Sequence, residues 1–174
     1  MMTRRKIESL RNMVALSESP MARVSLDDLA NPERIRKRLS TELELHIRSK
    51  KGMGDLVSRI QRAAQIDANR AKRIAVTEKT RTLNSARMQP AVEQYLKEYE
   101  KAVRGHRKRP EPPRFQWVHT NAAREPRQHH IALSGTVRAI GEEFLPGVCF
   151  PGDPDGPAAE IINCHCYIRR AAPK

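Results

Sequence analysis

The feature that most constrains this sequence is a basic, proline-rich segment at residues 106–114, HRKRPEPPR. Its three prolines fix the backbone and remove hydrogen-bond donors, so neither a helix nor a central strand is expected to run through it. Before this linker apolar residues recur with a helical period, and after it short alternating runs are separated by turns. The sequence therefore predicts an α+β chain: a helical N-terminal part, then a small, loop-rich antiparallel β module that packs on the long helix.

Two helices are predicted before residue 52. A short amphipathic pattern covers residues 4–17. A stronger one follows Asn31 and Pro32, which supply an N-cap and a proline in the first turn, and it runs to Gly52. Its apolar stripe consists of Ile35, Leu39, Leu43 and Ile47.

Two further helices are predicted between this stripe and the linker. Asp55 is expected to cap one or two turns, and Asp67 to cap a long segment that reaches Gly105. We expect Pro90 to interrupt or restart the long segment, because a proline inside a helix removes a backbone hydrogen bond.

After the linker, β-rich runs at residues 115–119, 136–140 and 161–169 predict short strands, with a strong turn signal at residues 151–157. The predicted organisation is a basic helical extension, a helical part, the linker, and a C-terminal β module with a His/Cys cluster: residues 1–51, 52–105, 106–114 and 115–174.

The net charge of +13 lies entirely before the β module. Residues 1–110 hold 26 Lys and Arg against 13 Asp and Glu, whereas residues 111–174 hold seven of each. A one-sided basic surface attracts a polyanion, although each cluster taken alone is also typical of a solvated helix face. The candidates for non-specific DNA contact are Arg34, Arg36, Lys37, Arg38, Lys50, Lys51, Arg70, Lys72, Arg73, Arg107, Lys108 and Arg109.

Soft metal ligands are concentrated near the C-terminus. His130 and the pair Cys164 and Cys166 could bind one zinc ion, with Cys149 as a further candidate. Such an ion would stabilise a module whose core is small. The alternative is that the cysteines are inert, buried thiols and the histidine makes an ordinary hydrogen bond.

Several motifs occur in a fixed order along the chain. The long helix carries AKRIAVTE at residues 71–78 and NSAR at residues 84–87, after GDL at residues 54–56. Then come Trp117, two arginines, HIALSG at residues 130–135, PGDP at residues 151–154 and NCHC at residues 163–166. In this order the motifs resemble the phage Mu F-like family of minor head proteins, over roughly residues 52–170.

The resemblance implies a non-enzymatic phage or prophage protein that acts in head morphogenesis. It would associate with the portal or the major head protein, assist DNA packaging or delivery, and reside in the head interior of the virion after assembly in the host cytoplasm. No run of 18 apolar residues occurs, so we expect no membrane partner. The alternatives are a small metal-dependent nuclease using His130, and a toxin-associated effector that carries a Mu F-like domain.

Glu78 lies on the apolar face of the long helix, where an acid needs a partner. Because its motif recurs with the C-terminal motifs in the resembled family, we expect Glu78 to couple the helix to the β module near Trp117. The predicted partner is Arg124, Arg127 or His130. The alternative is an acid paired within the helix, with Arg81 or Thr82. A catalytic acid is a third interpretation.

Overall fold

The computed structural model describes Leu10 and residues 30–172. It contains a helical N-terminal part with one long helix and a small three-stranded antiparallel sheet, which confirms the predicted α+β class. The predicted helix at residues 4–17 lies outside the described residues except for Leu10, which is buried. The elements are α1 (Pro32–Ser49), α2 (Met53–Ala64), α3 (Ala68–Arg104), β1 (Arg114–Val118), α4 (Gln128–Ala132), β2 (Val137–Ala139), α5 (Ala158–Ile161) and β3 (Tyr167–Arg170).

Helix α1 begins as its sequence predicts. The side chain of Asn31 accepts a hydrogen bond from the backbone N–H of Arg34 at 3.3 Å, and Pro32 occupies the first turn. Leu39 and Leu43 of the apolar stripe are buried. They pack against α2 and the first turns of α3 in one apolar cluster, which we call the helical unit (α1, α2 and residues 68–75).

Helix α2 corrects the role given to Asp55. The helix starts at Met53 and has 12 residues, so Asp55 lies inside its first turn rather than at a cap. Its carboxylate instead accepts a hydrogen bond from Arg59 at 2.7 Å, one turn later. Arg59 also reaches Glu42 of α1 at 2.9 Å. Asp55 is therefore part of an ion-pair network that joins α1 to α2.

Helix α3 runs through Pro90 without a break over 37 residues, so the expected interruption is wrong. Asp67 caps its start, as predicted, by accepting from the backbone N–H of Arg70 at 2.9 Å. Met88 and Val92, on either side of the proline, are both buried in one apolar cluster. Packing on this face stabilises the helix where proline removes a single hydrogen bond.

The sheet of the β module has the order β2-β1-β3, with all pairings antiparallel. Phe115 and Trp117 of β1 point inwards and are buried, and Trp117 pairs with Ile168 of β3. The third predicted run is partly wrong, because Ile161 ends the short helix α5 and the strand begins only at Tyr167.

The β module docks on α3 through polar contacts as well as apolar ones. Asn84 donates to the carbonyl oxygens of Pro151 and Cys166 and accepts from the backbone N–H of Ile168, at 2.9, 3.2 and 3.1 Å. Gly152 lies so close to the helix that a Cβ there would come within 2.9 Å of the backbone nitrogen of Arg81. These hydrogen bonds and this close approach therefore fix the position of the β module on α3.

Within residues 30–172, no helix is both long enough and apolar enough to cross a membrane.

Candidate metal centre

Three of the predicted ligands converge in the β module. Their ligand atoms, the Nδ1 of His130 and the two Sγ atoms of Cys164 and Cys166, all lie within 4.8 Å of one another, and all three residues are buried. The Nδ1 atom is 3.6 Å from the sulfur of Cys164 and 3.8 Å from that of Cys166. In a tetrahedral zinc site a sulfur and a nitrogen ligand are about 3.5–3.6 Å apart. This group could bind a metal ion such as zinc.

The elements around the group hold it from several sides. His130 lies on α4, where the ring of Trp117 contacts its imidazole edge-on with 5.2 Å between centroids. The two cysteines lie just before β3 and are fixed through their backbone. Thr80 of α3 donates to the carbonyl oxygen of Cys164 at 2.7 Å. The docked helix therefore helps to position the sulfur ligands, although it supplies none of them.

A carboxylate orients the histidine ligand from its other side. Glu160 contacts the Nε2 of His130 at 2.8 Å and the Nε2 of the exposed His129 at 2.7 Å. A proton on the Nε2 of His130 leaves its Nδ1 lone pair facing the thiols. This is the arrangement in which a metal-binding histidine donates its second N–H to a carboxylate.

The two cysteines differ in their ionisation. A hydrogen bond from Cys166, with a further contribution from His130, lowers the pKa of Cys164 to about 5 despite its burial. The same hydrogen bond and burial raise the pKa of Cys166. Burial works to lower the pKa of His130, but its hydrogen bonds with Cys164 and Glu160 outweigh this and raise it. The pair therefore holds one thiolate near neutral pH, and thiolate is the form that binds metal.

One further histidine contacts the group and was not identified from the sequence. The Nδ1 of His119 lies 3.6 Å from the sulfur of Cys166. His119 directly follows β1, and its position beside the cysteines depends on how β1 pairs with β3. A cavity of about 160 Å³ adjoins this part of the group, and Glu125, Arg127 and His165 contribute to its lining.

Cys149 does not belong to the group, which corrects its selection as a ligand. Among the described residues it packs against the apolar cluster around Phe150, where it is half-buried. Its backbone N–H donates to Asp153 at 2.8 Å, which fixes the turn that carries it. The sequence did not show that the turn after Cys149, at residues 151–157, lies against α3 and not beside the ligand group.

Glu78 is buried, as predicted, and its carboxylate accepts a hydrogen bond from Arg81 at 2.9 Å. This ion pair is the within-helix alternative. Of the three predicted partners from the module, Arg127 donates to the carbonyl oxygen of Ile162 at 2.9 Å, His130 contacts Glu160 at 2.8 Å, and Arg124 is exposed.

Polar contact between α3 and the β module is also made by three residues of α3 that were not predicted to couple the two parts. Thr77 accepts from the backbone N–H of Asn163 at 2.9 Å, and Thr80 and Asn84 contact the backbone around the cysteines. Trp117, the fourth predicted coupling residue, is fully buried between His130 and Phe144.

The predicted DNA-contacting residues lie on three parts of the molecule: α1 and its C-terminus, the first turns of α3, and the linker. Arg36 and Arg70 are half-buried, whereas the other ten are exposed. Arg109 of the linker lies over the ring of Tyr99 at 5.6 Å, which places part of the linker against the end of α3.

The chain is similar to YqbB, an uncharacterized protein of Bacillus subtilis (strain 168), with 31% identity over 110 residues. The match covers 60% of this chain and 31% of YqbB, so the chain spans less than a third of that relative's length. No family model and no solved structure matches the chain.

Proposed function

We propose that this chain is a minor head protein of a phage or prophage, of the Mu F-like kind, that acts in head morphogenesis and DNA packaging or delivery. The observation that carries the proposal is spatial: motifs up to about 90 residues apart meet around one buried site. Asn84 of the helix motif contacts the backbone of Pro151 and Cys166, which belong to the PGDP and NCHC motifs. Such convergence supports reading the motifs as one functional pattern.

The metal in this proposal is zinc, held by His130, Cys164 and Cys166. Two cysteine sulfurs and an imidazole favour zinc over magnesium or calcium, which prefer oxygen ligands. Its role is structural, because the sheet has only three short strands and the ion would join α4 to the segment before β3.

The basic surface of the helices and linker is proposed to contact DNA without sequence preference. Its charge is concentrated outside the β module, which leaves that module free to contact the portal or the major head protein. Contacts with phosphates release counterions, so such binding weakens as salt rises. In this proposal the protein occupies the head interior after assembly in the host cytoplasm.

The DNA contact is tested with random duplex at two salt concentrations. We expect the triple variant Arg34→Gln, Lys37→Gln, Lys50→Gln to bind more weakly and to lose part of the salt dependence, by a slope of about 0.9 for each lost phosphate contact. The matched control neutralises Arg138, Arg169 and Arg170, which are also exposed and lie on the β module. Equal losses in both variants would contradict a DNA surface on the helices.

Assembly is tested in a host that produces the phage. A tagged copy of the chain should sediment with heads on a gradient and remain with them after nuclease treatment. Recovery only in the free-protein fractions would contradict a role in the head.

A small metal-dependent nuclease is the second candidate, favoured by the cavity beside the ligands with Glu125 and His165 in its lining. Its chemistry requires an open metal position for water and substrate. Metal-dependent nicking of a plasmid that is lost in Cys164→Ser would favour this candidate, and intact plasmid with the zinc-loaded protein favours the structural role.

A further inference from the structure

We infer that His119 is the fourth ligand of the proposed metal centre, through Nδ1, so that the centre is a closed Cys₂His₂ site. The inference rests on the metal centre proposed above and adds a residue that neither the sequence motifs nor the buried three-residue group contains. It also decides the class of the site, because a fourth protein ligand leaves no open position for chemistry.

The first argument is distance. The Nδ1 of His119 is 3.6 Å from the sulfur of Cys166, and the Nδ1 of His130 is 3.8 Å from the same sulfur. The His119 distance matches the separation of about 3.5–3.6 Å between a sulfur and a nitrogen that share a tetrahedral zinc ion, and the His130 distance is slightly longer.

The second argument is the backbone that presents His119. Strands β1 and β3 pair with Val118 opposite Tyr167, so the next position of each strand brings His119 opposite Cys166. Two hydrogen bonds hold this end of the strand: the backbone N–H of His119 donates to Ser134 at 3.2 Å, and the hydroxyl of Thr120 donates to the carbonyl oxygen of His165 at 3.0 Å. The imidazole is therefore presented to the thiols by fixed backbone.

The third argument is the orientation of the ring. The Nδ1 of His119 faces the thiol of Cys166, whereas its Nε2 has no hydrogen-bond partner among the described residues. The nitrogen that is directed at the ligand group is therefore Nδ1, which is the atom that the inference assigns to the metal ion.

Other soft ligands are placed less well for the fourth position. Cys149 packs in another cluster, and His129 contacts Glu160 on the Nε2 side of His130, away from the thiols. The remaining competitors are His165 and Glu125, which line the adjoining cavity, and water from that cavity. A water ligand would make the site open, so the experiment must show whether binding depends on His119 itself.

The test uses the full chain loaded with Zn²⁺ or Co²⁺ alone. Co²⁺ reports coordination through its visible spectrum, and competition with a chelator measures affinity. We expect one metal ion per chain and a tetrahedral Co²⁺ spectrum for the parent. His119→Ala should bind at least about tenfold more weakly, with a spectrum altered by a water ligand. His119→Cys should restore the affinity and add intensity from a third thiolate.

The control is His106→Asn, which changes an exposed histidine of the linker whose positive φ asparagine tolerates. It should bind metal like the parent. Unchanged affinity and spectrum in His119→Ala would overturn the inference and leave the proposed metal centre standing as an open site. Failure of the parent to bind Zn²⁺ or Co²⁺ would overturn both. Because His119→Cys keeps a ligand at this position, it remains informative if His119→Ala does not fold.

Discussion

The helical unit and the β module use α3 in different ways. The helical unit packs apolar side chains such as Leu43 and Ile60 on the first turns of the helix, and its ion pairs lie at the edge. The β module binds the next turns through Thr77, Thr80 and Asn84, which contact its backbone. It also shares an apolar cluster with α3 around Met88 and Val92. A unit made from amphipathic helices derives stability from its own core, whereas a module of short strands depends on the helix on which it docks and, in our proposal, on a metal ion that holds its loops.

This comparison can be tested because fluorescence and circular dichroism report on the β module and the helical unit separately. The chain has one tryptophan, Trp117, which lies in the β module next to His130. Its emission reports on the module, while the helical circular dichroism signal reports mostly on α1, α2 and α3. The variants below are ordered from the largest expected effect to the smallest.

Loss of the proposed metal ion is expected to have the largest effect. A chelator, or Cys164→Ser, should expose Trp117 and shift its emission to longer wavelength while most of the helical signal remains, because binding energy lost at the site is also folding energy. Cys149→Ser is the matched control, since Cys149 lies outside the ligand group. A parent protein that carries no metal and keeps its emission in chelator would contradict the contrast.

Leu43→Ala should destabilise the helical unit by about 2–5 kcal/mol, because it opens a cavity at a position that is 1% exposed. Urea unfolding followed by circular dichroism should show the loss. Leu45→Ala, on the same helix but 46% exposed, should cost no more than about 0.5 kcal/mol. If Leu43→Ala lowers the urea midpoint of the Trp117 signal as much as that of the helical signal, the two regions unfold as a single unit. That result would contradict a difference in how the two regions are stabilised.

Asn84→Ala should lower the stability of the β module by about 1–3 kcal/mol, because it leaves buried backbone groups without partners. Unfolding followed by Trp117 emission should detect this. Asn69→Ala, at an exposed position of the same helix, serves as the control. If both variants unfold at the same urea concentration, docking of the β module does not depend on Asn84.

Within the helical unit, acid should produce the smallest effect. The hydrogen bond from Arg59, with contributions from Lys51 and His46, lowers the pKa of Asp55 below 3.8. A carboxylate with a lowered folded-state pKa stabilises the protein fully above its unfolded value and loses this contribution as pH falls through the folded value. Asp55→Asn should therefore remove part of the loss of stability that the helical unit shows below about pH 4, measured by urea unfolding followed by circular dichroism at several pH values. If the stability of the variant and the parent falls equally with pH, the prediction is wrong.

The helices were predictable because their signals are local. Asn31 and Asp67 cap the helices they precede, and the stripe through Leu39 and Leu43 needs only helical period. Pro90 was judged by propensity alone, and packing of its neighbours outweighed that preference. The role of Asp55 depended on Arg59 and Glu42, which lie in a network that no single segment contains.

The candidate site was predictable only in its chemistry. His130, Cys164 and Cys166 could be selected because thiolate and imidazole are zinc ligands, and the structure brings them together. His119 could not be selected, since its contact with Cys166 follows from the register between β1 and β3. Asn84 was noted only as part of a motif, because its three partners come from residues 67 to 84 positions away.

The unbroken course of α3 through both regions has a mechanical consequence. Each residue of an α-helix advances the chain by about 1.5 Å and turns it by about 100°. The helical unit holds Ala75 and the β module holds Thr77, so one residue inserted between them would swing the module by about 100° around the helix axis. Seven inserted residues would return it to nearly the same side, about 10 Å farther along. The number of α3 residues between the two regions thus determines which face of the β module lies on the same side of the helix as the basic surface of α1.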